Sequence, residues 1–167
     1  MPVKTDGKLE VQAIAYEPAS GKTSSVSLER FDISRKDWKI VDNSDEKAYN
    51  IIDGDPNTDW VQSKEKKMPI DLVIDFGKDE NLIGFKYLPS QTQWAGGVIT
   101  NYKFFVSLDN KEWKLVSDGE FSNINNNPVW QTKKFEPVKA RFMKLQALKN
   151  AWNNQDARYG EVDVITK

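Results

Sequence analysis

Ile52-Asp53-Gly54-Asp55-Pro56-Asn57-Thr58-Asp59-Trp60 concentrates oxygen ligands on one short turn of a 167-residue chain. Gly54 and Pro56 enforce a tight bend that points side-chain and carbonyl oxygens at a common spot, and the three aspartates repel one another unless something neutralises them. The stretch reads as a cation-binding loop. The plainer alternative is that Asp53 and Asp55 only cap a turn through Asx hydrogen bonds. Asp53, Asp55, Asn57 and Asp59 imitate the first ligands of the helix-loop-helix calcium hand, but that motif needs a glycine and a bidentate glutamate where this chain has Thr58 and Lys64. Missing ligands must come from elsewhere in the fold. The best distant donor is Glu161, in Gly160-Glu161-Val162-Asp163-Val164 at the head of the last expected strand.

Around this turn, from Trp38 onward, the chain shows short alternating runs separated by Gly, Pro, Asn or Asp clusters, which predicts an all-β domain. Strands are expected over 38–41, 70–76, 83–87, 102–108, 113–116, 129–135, 141–148 and 162–165, with the first near the last. The asparagine-rich connection 118–128 reads as a flexible tip. No segment keeps helical periodicity for three turns. A single sheet of that size leaves one apolar face wet, so a two-sheet sandwich is favoured. Before it, residues 1–33 read as a β-hairpin: Leu9, Val11, Ala13 and Ala15 alternate with their neighbours, 18–22 supply a turn, and 25–31 a second strand. Residues 34–37 form a polar linker, leaving 38–167 as the main domain. The opening Met1-Pro2-Val3 runs straight into strand-like sequence, as in a fragment of a longer chain whose export signals lie outside it.

Composition removes whole classes of function. With no cysteine and no histidine, ordinary zinc sites, thiol nucleophiles and histidine-based triads are ruled out, although paired-carboxylate glycoside chemistry survives. A net charge of -1 and a pI near 5.6 argue against nucleic acid or an anionic bilayer as partner. No signal peptide, transmembrane run or lipidation motif is visible, so membrane insertion is not expected.

The order of motifs resembles the factor V/VIII type C, or discoidin, domain, and most closely the bacterial carbohydrate-binding modules called family thirty-two. The resemblance is carried by 38–41, the acidic turn 52–60, Pro69 to Gly77, Gly84 to Pro89, Ile99 to Tyr102, Val106 to Asp109, Lys111-Glu112-Trp113, Phe135 to Phe142 and Gly160-Glu161-Val162. It implies an eight-stranded antiparallel jelly-roll β-sandwich, galactose-binding-domain-like, with one structural calcium. The calcium ligands it implies are the carboxylates of Asp53 and Glu161, the hydroxyl and carbonyl of Thr58, and carbonyls near Asn50, Asp55 and Gly160. More faintly, 8–16, 21–24 and 31–33 resemble the closing hairpin of the immunoglobulin-like domain of bacterial hexosaminidases and fucosidases. The parent would then be a multidomain glycoside hydrolase, secreted, periplasmic or at the cell surface.

An open sugar site pairs an aromatic plane with a few amide or charged groups. Trp94 and Trp152 are the tryptophans that sit in loops amid polar residues, whereas Trp38, Trp60, Trp113 and Trp130 lie in or beside strands and read as core or shielding. Members that bind galactose-type sugars carry a histidine and an arginine where this chain has Val61 and Ser90. A rebuilt site would draw on Gln62, Lys64, Gln91, Gln93, Asn150, Asn153 and Asn154. Arg141, in phase with Met143, Leu145 and Ala147, is assigned to structure. The leading reading is a monomeric, non-catalytic carbohydrate-binding module that holds a catalytic domain near its glycan. The alternatives are a spacer with a decayed sugar site, a discoidin-type adhesion domain and an independent enzyme.

Overall fold

A computed structural model describes residues 9–31, 33–62 and 68–167, and the chain divides into two compact units, Met1–Lys36 and Asp37–Lys167. In the first unit β1 (Leu9–Ala13) is followed by β2 (Tyr16–Glu17), β3 (Lys22–Thr23) and β4 (Ser27–Phe31). The outer pair β1–β4 and the inner pair β2–β3 are both antiparallel, so the segment is one interrupted hairpin. At the interruption Ser24 bonds Ala15 twice, through its amide (2.9 Å) and its hydroxyl (3.0 Å).

The second unit contains β5 (Lys39–Ile40), a 3-10 turn (Glu46–Ile51), β6 (Trp60–Gln62), β7 (Ile70–Leu88), β8 (Ile99–Ser107), β9 (Lys114–Glu120), β10 (Gln131–Asn150), β11 (Ala157–Tyr159) and β12 (Glu161–Thr166). Its main sheet runs β12-β7-β10-β8-β9 with β5 also on β7, and β6 pairs with β11 alone. Every pairing of named strands is antiparallel. The first strand, expected near the last, pairs with β7, Ile40 opposite Ile74, and β12 pairs with the same strand farther along.

Two of the predicted breaks are absent. Residues 70–76 and 83–87 belong to one long strand, as do 131–135 and 141–148, because β7 and β10 stay paired through register shifts at Lys134/Val138 and Ala140/Phe142. Bulges bend a ladder without ending it. The polar middle, which has the composition of a turn, stays in the ladder through Glu80, Asn81 and Leu82, with Leu82 and Ala140 buried and an exposed Lys139–Asp79 ion pair at 2.9 Å alongside. Gly77 marks the bend in β7: its φ is +80°, and a Cβ there would lie 3.1 Å from the Asp37 carbonyl. The same shift at Ala140/Phe142 takes Arg141 out of phase with Met143 and into a two-pronged bond with Asp75, both contacts 3.0 Å. That guanidinium holds the Asp75 carboxyl below its ordinary value.

The inward faces of the bent ribbon meet in an aromatic core. Phe85 and Phe104 stack at 4.1 Å, and Tyr102 stacks on Phe121 at 4.4 Å. Tyr87, Tyr159 and Phe76 are also fully buried. Trp38 and Trp60 join this core, and Trp113 is half-buried under the Lys144 ammonium at 4.5 Å. Trp130 is different: it sits one residue ahead of β10 and is 42% exposed. Among the described residues no helix is long and apolar enough to cross a membrane.

Candidate functional site

The acidic turn follows the 3-10 turn, whose Asp45 cap accepts from the Lys47 amide and from the Trp60 indole at 2.8 Å. These donors, the indole first, hold the Asp45 carboxyl below its ordinary value. Beyond it the chain winds around Thr58. The Thr58 hydroxyl lies 3.0 Å from Asp53 Oδ2, 3.3 Å from Asp53 Oδ1, 3.0 Å from the Asp55 carbonyl and 3.2 Å from the Asn50 carbonyl. The Asp55 amide donates to Asp53 Oδ1 at 2.8 Å, the Asx bond of the plainer reading, and the Thr58 amide donates to the Asp55 carbonyl at 3.1 Å, so Asp53 Oδ2 and the Asn50 carbonyl compete for the one hydroxyl hydrogen. Glu161, 1% exposed at the head of β12, reaches the same turn and accepts from the Gly54 amide at 2.8 Å.

The crowding of Asp53 Oδ2 and the Asn50 carbonyl on a single hydroxyl, with the Glu161 carboxylate alongside, fits a hard divalent cation such as calcium, which takes carboxylate, carbonyl and hydroxyl oxygens together. Among the described residues no three Asp or Glu side chains gather at one point, so any cation here would take carbonyls and a hydroxyl as well. Asp55 turns only its carbonyl toward Thr58. Its carboxylate turns away to the Asn57 amide and side chain, both 2.9 Å, which hold it below its ordinary value. Gly160 serves close packing: its amide donates to the Leu88 carbonyl at 2.9 Å, and a Cβ there would lie 2.7 Å from the Pro89 carbonyl.

Asp59, last of the alternating aspartates, does not face Thr58. Its carboxylate accepts from the Ser90 hydroxyl and from Arg158 Nη1 at 3.1 Å. Ser90, 3% exposed, begins a loop over 89–98 that forms one wall of a cleft of about 440 Å³. The other walls come from 124–128 and from Trp152. Trp94 is 81% exposed and Trp152 is 52% exposed, so two indole faces stand at the mouth of a cleft floored by buried Val98 and Ile124. Among the described residues no charged side chain lines it.

The amides expected to meet a ligand mostly build this rim. Asn150 is 4% exposed: its Oδ1 accepts from the Trp152 and Asn154 amides at 3.0 and 3.2 Å, and its Nδ2 donates to the Asp156 carbonyl at 2.7 Å. It organises the loop that presents Trp152 and has no group left for a sugar hydroxyl. Gln91 bridges two walls, donating to the Pro89 and Pro128 carbonyls at 2.8 and 2.9 Å. Gln62 lies away from the cleft, donating to the Asp71 carbonyl at 3.0 Å in a separate hollow with Asp45 and Trp60. Asn153 is exposed with φ +51° beside Trp152 but does not line the cleft. Lys64 lies outside the described residues. Sequence reasoning misses Asn125, Asn126 and Pro128, which line the cleft from the segment that reads as a flexible tip.

The fold and its loops define a β-sandwich module with an oxygen-rich turn and an open aromatic cleft. The F5/8 type C domain profile matches residues 33–162, and the chain belongs to that family. It is 26% identical over 172 residues to a sialidase of Micromonospora viridifaciens, a match that takes in 96% of this chain and only 26% of the sialidase, so the chain spans about a quarter of that relative's length. Among solved structures it is similar to CpGH89CBM32-5 from Clostridium perfringens, solved in complex with GalNAc-β-1,3-galactose. The TM-score is 0.68 and the identity 25%, covering 79% of this chain and 97% of that one. A glycoside hydrolase 29 family member from an unknown rumen bacterium is 41% identical over 59% of this chain and 18% of its own, with a TM-score of 0.54. Such modules are non-catalytic units found in glycoside hydrolases, and this chain is a module of that type.

Proposed function

We propose that the chain binds a glycan in the cleft between 89–98, 124–128 and Trp152, and so keeps the catalytic domain of a secreted bacterial glycoside hydrolase close to its substrate. The observation that carries this reading is the exposure of Trp94 and Trp152 over one uncharged cleft. Exposed indoles supply flat apolar surface for the ring faces of a pyranose, and the Gln93, Asn125 and Asn126 amides stand beside them for its hydroxyls. A spacer whose sugar site had decayed would fold these rings inward. The C. perfringens relative with its bound disaccharide supports the same reading.

Calcium at the acidic turn completes the proposal, held by Asp53, Thr58, Glu161 and the carbonyls of Asn50, Asp55 and Gly160, with a structural role. The crowding of the Asp53 carboxylate and the Asn50 carbonyl on the one Thr58 hydroxyl supports it. The likeness to a family 29 glycoside hydrolase supports a glycoside hydrolase as parent, a fucosidase or hexosaminidase in our reading, acting outside the cell. Open sites with one or two stacking rings bury little area, so dissociation constants of about 0.1 to 1 mM follow. Glycan-array screening of the chain, with calorimetry on each hit, tests this. Binding weakened about tenfold in W94A or W152A supports it, and no binding to any neutral glycan at several millimolar refutes it.

A further inference from the structure

The loop that presents Trp94 is fastened at both feet by one ion pair. At its start the Ser90 hydroxyl donates to Asp59, and the Thr92 hydroxyl lies 3.4 Å from the same carboxylate oxygen. At its end the Arg158 amide donates to the Gly97 carbonyl at 2.9 Å, and Val98 and Arg158 form an isolated parallel bridge. The Arg158 guanidinium closes the circuit on Asp59, with the two side chains only 26% and 21% exposed. Buried Tyr87 braces the same foot, donating to the Arg158 carbonyl at 2.7 Å and accepting from the Ile99 amide at 3.3 Å. The loop needs such fastening, because Trp94 itself sits at φ +62°, a left-handed conformation that a bulky residue keeps only where its surroundings impose it.

Asp59 also belongs to the acidic turn. Its carbonyl accepts from the Asn50 side chain at 3.1 Å, and the Asn50 carbonyl is one of the oxygens around Thr58. We propose that Asp59 is a positioning residue that couples the acidic turn to the Trp94 rim, so that a divalent cation bound at the turn orders the rim. The proposal rests on the cation and glycan readings above. A cation gathering oxygens from Asn50 to Thr58 fixes the main chain that aims the Asp59 carboxylate, and the carboxylate fixes Ser90, Thr92 and Arg158. Without it, repulsion within the turn loosens that aim. By linkage, cation and glycan then strengthen each other's binding by one common factor, about fivefold or more.

The test is a calcium chloride titration of the 15N-labelled chain after chelation, followed by two-dimensional NMR. The Gly54 amide reports the turn, and the Thr92 amide and Trp94 indole report the rim. The expected result is that both sets of signals move with one midpoint in the wild type. In S90A and D59N, Gly54 still moves while the Trp94 displacement falls at least twofold. S90A removes one hydroxyl and leaves the Asp59–Arg158 pair, so it guards against misfolding of D59N. Movement of Gly54 with a still Trp94, or full Trp94 movement in both variants, overturns the coupling and leaves the cation reading intact. A still Gly54 in a folded wild type overturns the coupling together with the cation reading. Neither outcome touches the glycan reading, which the array decides.

Discussion

The acidic turn and the aromatic rim are built from the same kind of local bond, an amide or carboxylate side chain accepting from main-chain N–H groups a few residues on, yet they end in opposite chemical states. Around Thr58 the Asp53 carboxylate and the Asn50 carbonyl share a single hydroxyl hydrogen. Around Asn150 donors and acceptors balance, and what remains exposed is the face of Trp152. The first arrangement is the one we propose holds a cation. The second has little polar capacity left over, so it offers a ligand mainly ring surface and the neighbouring amides of Gln93, Asn125 and Asn126.

That contrast can be broken most severely at the turn. Chelation of calcium is expected to destabilise the protein by about 2.7 kcal/mol relative to a free concentration roughly one hundred times the dissociation constant, lowering Tm by roughly 10 °C. E161Q should abolish most of that response, and scanning calorimetry with and without chelator reads both. Next in size is Gly160→Ala. The methyl group would press on the Leu88 and Pro89 carbonyls at the point where the turn and rim share a strand end. A loss of about 2 kcal/mol in urea unfolding is expected, since main chain cannot yield as a side chain does.

At the rim the expected effect moves from stability to affinity. W94A and W152A should each weaken glycan binding about tenfold, or about 1.4 kcal/mol, while leaving the unfolding free energy within about 0.5 kcal/mol. Truncation that unfolded the protein would mean the rings are structural. The smallest effect provides a control remote from both regions. Asp75 has its carboxyl lowered first by the Arg141 hydrogen bonds, so the folded state binds its proton less readily than the unfolded chain. Its contribution is complete above the ordinary value of 3.8 and fades as pH falls through the lowered one. D75N should therefore flatten the acid side of the Tm-against-pH curve without changing the response to calcium or glycan.

How much of this is legible in the sequence depends on contiguity. The turn lies within nine residues, so its crowding of oxygens can be read directly, and the distant Glu161, which reaches the Gly54 amide, stands out as the carboxylate heading the last strand. The cleft is assembled from three segments, and only its tryptophans carry a signal, as aromatic residues stranded in polar loops. Asn150 and Gln91 lie in the loops where a sugar site is expected but bond to main chain instead, and an amide that serves main chain looks the same in sequence as one that serves a ligand. Strand limits fail where polarity misleads, since Lys78, Asp79 and Glu80 stay within β7, which remains paired with β10 beside them at Glu80, Asn81 and Leu82, a pairing that periodicity does not reveal. The short β6–β11 pair escapes notice because three residues are too few to show alternation.

The rim's role is tested most directly by titrating the 15N-labelled chain with GalNAc-β-1,3-galactose and a panel of neutral disaccharides while following the six tryptophan indole N–H signals. Saturable displacement of the Trp94 and Trp152 signals, with Trp38 and Trp60 unmoved and half-saturation at about 0.1 to 1 mM, is the expected result. Still signals at Trp94 and Trp152 with every sugar at about 10 mM, well above that range, would contradict it.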